Sequence, residues 1–160
     1  NYFKRNRQFH AKWSQTHSND YFTKATQKEY IKNDIKEYRR GFLVPLWISL
    51  KDDPKNIIGR ISFFNFAYGG MMSCAIGYHL DEEYQGNGYM KEAVLSSCEM
   101  LVKELKIHRI EAFILPVNER SLNLIKKCGF IEEGMRYSYM HINGKWENHE
   151  AFYILEESFR

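Results

Sequence analysis

The sequence predicts a single α/β domain whose central sheet is mixed, mostly antiparallel, and interrupted by one crossover. Three observations lead there. Apolar runs of strand type follow one another between residues 42 and 80, separated by turn residues, as antiparallel strands do. A loop and an amphipathic helix then stand between two further strands, the pattern of a parallel crossover. Finally, Asn143-Gly144 joins two apolar runs and is the strongest short hairpin signal. The 160 residues suffice for one core, and a composition that is 44% hydrophobic and 16% aromatic excludes a disordered chain.

Residues 2–13 are basic and aromatic and are expected to open as helix, followed by the polar loop His17-Ser18-Asn19-Asp20. Thr26 and Glu29 form a T-x-x-E capping box, so a helix is expected from there to Arg39-Arg40, with Gly41 as its stop. Strands are expected over residues 42–50, where Pro45 points to an edge, over 56–66 and over 72–80. Asp52-Asp53-Pro54 turns between the first two and Gly69-Gly70 between the second and third. After the loop 81–88, Val94, Cys98, Leu101 and Leu105 recur at helical spacing and define a buried face. A strand over 108–115 ends at Pro116, and a short helix over 118–128 turns Leu122, Leu124 and Ile125 inward. Gly129 caps that helix, and strands 130–142 and 145–155 finish the chain.

Several function classes are excluded at this level. A net charge of +3 is too mild for a dedicated nucleic-acid binder. Residues 61–80 carry no charged side chain and are long enough to span a bilayer, but the Gly69-Gly70 pair and the interspersed polar residues read as a hairpin. No membrane span or signal peptide is expected. Cys74, Cys98 and Cys128 are odd in number and widely spaced, so buried free thiols and a reducing cytoplasm are expected. The six histidines show no metal-ligand spacing, and no metal is expected.

The segment Gln85-Gly86-Asn87-Gly88-Tyr89-Met90 carries the clearest chemistry. Glycines let backbone amides approach an anion, and the start of the next helix adds partial positive charge. Lys91 stands where a dinucleotide fingerprint needs its third glycine, and no Gly-Lys-Ser/Thr follows to make a P-loop. A pyrophosphate on another carrier, such as coenzyme A, fits better.

These residues resemble the acetyl-CoA site of the GNAT superfamily of N-acetyltransferases. Gln85 and Gly88, with Met90 as an imperfect match, follow the pattern Q/R-x-x-G-x-G/A. The run from Gly77 to Met90, then Glu92-Ala93, resembles the RimJ/RimL type. So do, in order, residues 108–112, Pro116-x-Asn118-x-x-Ser121, Cys128-Gly129-Phe130, Glu133-Gly134 and residues 143–147. The family usually opens with a strand and a turn before the helix that here begins near Tyr2. The resemblance therefore implies one domain over residues 1–160 that lacks its first strand.

The resemblance further implies that the strands ending at Leu80 and beginning at His108 run parallel and splay apart. Tyr78, Leu80 and Asn118 would hold the pantetheine arm, residues Gln85, Gly86, Asn87, Gly88, Tyr89 and Met90 the pyrophosphate, and a backbone N–H of the first strand the oxyanion. Ser121 matches a serine placed near the thiol. The tyrosine that many relatives carry four residues later is here Ile125, the carboxylate five residues before the asparagine is Phe113, and the usual Asp-His of the last hairpin is Asn148-His149. Glu111 is then the nearest carboxylate, a candidate base that could equally be an ion-pair partner of Arg109. The implied activity is acetyl transfer from acetyl-CoA, without metal, to a primary amine, foremost a protein N-terminus such as that of a ribosomal protein. A small amine (polyamine, amino acid or aminoglycoside) and a non-catalytic CoA-binding regulator are the alternatives. Cytoplasmic action is expected, with no nucleic acid or membrane as partner and a homodimer left open. The acceptor pocket is expected near the loop 13–23 and the hairpin at Asn143-Gly144, where Trp13, Tyr21, Phe22, Tyr137 and Tyr139 would either grip a peptide or belong to the core.

Overall fold

The computed structural model describes residues 1–14 and 17–160. Two short helices, α1 (Tyr2–Arg5) and α2 (Arg7–His10), precede the long α3 (Lys24–Arg39). Strands β1 (Val44–Ser49), β2 (Ile57–Ala67) and β3 (Ser73–Leu80) form an antiparallel meander, so the uncharged span 61–80 is indeed a hairpin. Helix α4 (Tyr89–Leu105) crosses to β4 (Arg109–Ile114), α5 (Glu119–Lys127) follows, and β5 (Ile131–Ile142) and β6 (Lys145–Leu155) close the sheet. The order is β1-β2-β3-β4-β6-β5, with β3 and β4 parallel and every other neighbouring pair antiparallel. This is the mixed, mostly antiparallel α/β sheet that the sequence predicts. Pro45 lies in β1 at one edge, where its missing N–H costs no ladder bond.

The core lies between the sheet and helices α4 and α5. Ile58, Ile61 and Phe63 of β2, Ile110 of β4 and Phe152 of β6 pack with Val94, Cys98 and Leu101 of α4 and Ile125 of α5, all essentially without solvent exposure. Burying each large aliphatic contributes about 1.5–3 kcal/mol. Leu105, expected inward, is exposed. Lys106 adopts a left-handed conformation (φ 56°) that ends the helix, and Ile107 takes the inward place. The start of α3 also differs from expectation. Its cap is Thr23, whose side chain accepts from the Thr26 N–H, while Glu29 pairs with Lys32 on the surface. The turn between β5 and β6 has positive φ at both Asn143 and Gly144, the two-residue hairpin geometry this dipeptide favours.

The three cysteines are buried and free, as expected. Among the described residues no helix is long and apolar enough to cross a membrane.

Candidate active site

The crossover opens a gap in the sheet. β3 and β4 pair only from Ser73↔Arg109 to Ile76↔Ala112, so the end of β3 leaves β4 behind. Backbone polarity shows which groups this strands. The Asp81 N–H bonds Ile58 of β2, and Met72 on the other edge accepts from His108 and Arg109. Backbone groups alternate along a strand, so Tyr78 and Leu80 turn their N–H and C=O groups into the gap. The Leu80 carbonyl accepts from the side chains of Gln85 and His10; the other gap-facing backbone groups require partners, and an amide-bearing arm laid along this edge would supply them.

The gap leads to the glycine loop. Gly86 and Gly88 have φ values of +81° and +84°, and a Cβ built on either would meet nothing within 4 Å. The space beside both is open. Gly88 is the N-cap of α4 and offers no side chain to the helix, whose backbone ladder opens with the Glu92 N–H donating to the Gly88 carbonyl. The first-turn amides of Tyr89, Met90 and Lys91 therefore remain available to an anion. The Met90 side chain itself is buried in the core. Gln85 braces the loop, its Nε2 donating to the carbonyls of Leu80 (3.1 Å) and Asp81 (3.2 Å). The Asn87 side chain turns away from the cleft and donates to the Tyr84 and Gln85 carbonyls, which holds the loop closed and leaves only its backbone for an anion.

Across the gap, Asn118 caps α5, its Oδ1 accepting from the Ser121 N–H at 3.2 Å. The Ser121 Oγ lies 2.7 Å from the Tyr78 hydroxyl. Burial pushes the Tyr78 pKa up, partly opposed by its hydrogen bond to Ser121, so the phenol stays protonated at neutral pH. Ile125 is fully buried in the core and cannot present a group to the cleft.

Glu111 stands elsewhere. It does not line the cleft, and its carboxylate pairs with Arg109 (3.0 Å) and Arg136 (3.9 Å). The physical reason is strand alternation: Ile110, Ala112 and Ile114 turn toward the core, and Glu111 turns to the other face with Arg109, which also holds Glu133. Its ion-pair role, rather than a base role, is the one the geometry provides.

One cleft of about 1260 Å³ joins these parts. It reaches from the glycine loop past Tyr78, Leu80, Asn118 and Ser121 to the N-terminal helices and Asn143. Trp13, Tyr21 and Phe22 line it as expected, whereas Tyr137 and Tyr139 do not. The expected acceptor loop also includes Gln15 and Thr16, which lie outside the described residues. Arg7, Lys12, Lys91, Arg120 and Lys127 face Glu119 as the one carboxylate among the described lining residues. Beside the cleft, the Tyr2 hydroxyl lies 2.7 Å from Nδ1 of the lining residue His79, and the two rings stack. Burial pushes the His79 pKa down to about 3, helped by nearby His10 and Arg60, so its ring is neutral. Asp81, beneath, is buried. Burial alone would raise its carboxyl, but hydrogen bonds from Asn6, Arg5 and the Glu83 amide outweigh this and hold it below its ordinary value.

A splayed parallel pair, an uncapped helix start behind two left-handed glycines and a cationic cleft suit a phosphate-bearing donor with an extended amide arm. The family model described as Acetyltransferase (GNAT) domain matches residues 2–131. The chain belongs to the GNAT acetyltransferase family. It is 34% identical over 150 residues to the probable N-acetyltransferase YjcK of Bacillus subtilis (strain 168), covering 94% of this chain and 82% of that protein. It is 37% identical over 97 residues to the ribosomal protein uS5-alanine N-acetyltransferase of Escherichia coli (strain K12), covering 61% of this chain and 50% of that protein. The crystal structure of the ribosomal-protein-S5-alanine acetyltransferase from Vibrio fischeri matches with a TM-score of 0.92 at 31% identity, covering 100% of this chain and 87% of that one.

The activity of this GNAT chain is acetyl transfer, and its RimJ/RimL-type resemblance is supported by these relatives. Tyr78, Leu80, Asn118, Ser121 and most of the glycine loop line the cleft, but Tyr78 was expected there as part of the arm's binding edge and not through a hydroxyl that meets Ser121. Arg120 and His10 line the cleft without any signal in the sequence that would have placed them there. His10 sits 70 positions from the Leu80 carbonyl it contacts, with no motif to connect them.

Proposed function

We propose that this chain transfers the acetyl group of acetyl-CoA to the α-amine at the N-terminus of a protein. The observation that carries the reading is the charge of the cleft, with five cationic side chains against one carboxylate among the described lining residues. Such a field attracts a phosphorylated donor and repels a polycationic acceptor such as a polyamine or aminoglycoside, while a single terminal amine on a neutral or acidic peptide is tolerated. Likeness to ribosomal-protein-alanine acetyltransferases supports the same choice and names alanine as the first terminal residue to try.

Acetyl-CoA would supply an acyl thioester that an amine can attack directly. The amides of residues 86–91 would hold its pyrophosphate, with Lys91 adding charge. The gap-facing backbone of Tyr78, the Leu80 N–H and the side chain of Asn118 would hold its arm, and a β3 N–H would stabilise the developing oxyanion. Ser121 would give a proton to the departing sulfur, and Tyr78 would orient that hydroxyl. The enzyme's main contribution is then positioning. Three buried free thiols support action in the cytoplasm.

The test is turnover with acetyl-CoA on an alanine-starting peptide and on spermidine, read by mass spectrometry alongside CoA titration. The peptide should have the larger kcat/KM. A larger value for spermidine would overturn the acceptor assignment, and CoA binding without turnover on any amine would favour the regulator reading.

A further inference from the structure

The proposed transfer leaves one task without a residue. The acceptor arrives as an ammonium and must lose a proton before its nitrogen can attack. Glu111 faces the other side of the sheet. Four described residues lining the cleft could in principle take that proton: Glu119, His10, His17 and His79. Glu119 is exposed in the first turn of α5, and no described residue hydrogen-bonds or orients its carboxylate. His79 is stacked against Tyr2, and burial leaves it too weak a base to hold a proton near neutrality. His17 lies flat on Tyr21, with ring centroids 3.8 Å apart, and burial lowers its pKa as well.

His10 is placed differently. Its Nε2 lies 2.9 Å from the Leu80 carbonyl oxygen. A carbonyl can only accept, so Nε2 carries the hydrogen and the neutral ring keeps its lone pair on Nδ1. Among the described residues none donates to Nδ1. The same carbonyl accepts from Gln85 of the glycine loop, so one backbone oxygen ties His10 both to the gap-facing edge of β3 and to the phosphate loop.

We propose that His10 is the general base that deprotonates the acceptor amine, with the Leu80 carbonyl fixing its tautomer. The proposal rests on the N-acetyltransferase reading above. His10 Nδ1 takes one proton from the ammonium. The freed lone pair forms the N–C bond as the C–S bond of the thioester breaks, the second nitrogen proton ends on the departing sulfur, and His10 releases its proton to water. Tyr2 from the N-terminal helices and His79 from β3 pack against its ring, and the charged groups Arg7, Arg120 and Glu119 line the same cleft.

The experiment compares His10→Gln, which keeps a donor for Leu80 but cannot titrate, with His10→Ala, on whichever amine the wild-type enzyme acetylates best. His10→Gln should lower kcat/KM by about 10²-fold at neutral pH and remove the acidic limb of its pH profile, with CoA affinity unchanged. Added imidazole should restore part of the His10→Ala rate. A retained acidic limb with a rate within threefold of wild type, or no imidazole rescue of a folded, CoA-binding His10→Ala, would overturn the proposal. A preference of the wild type for spermidine would overturn only the acceptor assignment, since the His10 comparison would proceed on spermidine. A wild type that binds CoA but acetylates no amine would overturn both.

Discussion

The Tyr78 hydroxyl on β3 lies 2.7 Å from the Ser121 Oγ on α5, a contact that spans the gap where the two parallel strands part. It puts a phenol behind the serine, in a chain whose α5 carries Ile125 where many relatives carry a tyrosine. Ser121→Ala should lower kcat about tenfold or more, toward the low end of proton-transfer contributions, with less effect on CoA affinity. Tyr78→Phe should lower kcat through Ser121, and combining both changes should cost little beyond Ser121→Ala alone. Additive losses in steady-state kinetics of the three variants would show that Tyr78 does not act through the serine.

Gly88→Val tests the phosphate loop. The backbone there, at φ +84°, is one that a β-branched residue rarely adopts. The loop should rearrange and scatter the α4 amides, weakening CoA at least tenfold, or about 1.4 kcal/mol. Gly69→Ala is the control, because Gly69 also has positive φ (+74°) and open space but sits in the β2–β3 turn. By calorimetric titration the control should bind CoA normally. Equal affinities in both folded variants would remove the loop from the donor site.

Glu111→Gln should act on stability alone. Its partner Arg109 also holds Glu133 and stacks on Tyr153, and both members of the pair are partly exposed. A loss of about 1 kcal/mol in denaturant unfolding is expected, with an unchanged pH profile of kcat/KM. A shifted profile would return Glu111 to the reaction.

His79 predicts acid sensitivity. Its folded pKa, about 3, lies below the ordinary value of 6.5, so the unfolded chain binds the proton more readily. The stability it contributes is present above pH 6.5 and declines as pH falls toward 3, by up to about 1.4 kcal/mol per pH unit. His149, also pushed down by burial, adds in the same direction. Asp81, whose carboxyl is held below its ordinary value, loses its contribution only at lower pH still. Urea unfolding at pH 7, 6 and 5 should show this decline, and His79→Gln should flatten it.

The sequence by itself determined whatever depends on neighbours along the chain. Apolar runs set between turn residues specified β1–β3, Asn143-Gly144 specified the last turn, and the face Val94, Cys98 and Leu101 specified α4. Gly86 and Gly88 marked the loop because positive φ is a local demand. Even some local signals competed: Thr23 rather than Thr26 captured the α3 cap, and the left-handed turn at Lys106 exchanged Leu105 for Ile107. Only the tertiary structure decided which side chains meet at the gap. Glu111 left the cleft because strand pairing fixed its face, Tyr78 found Ser121 43 positions away, and His10 found Leu80 70 positions away. Such contacts depend on how whole elements pack, and no local periodicity or turn chemistry records which distant residue will lie opposite.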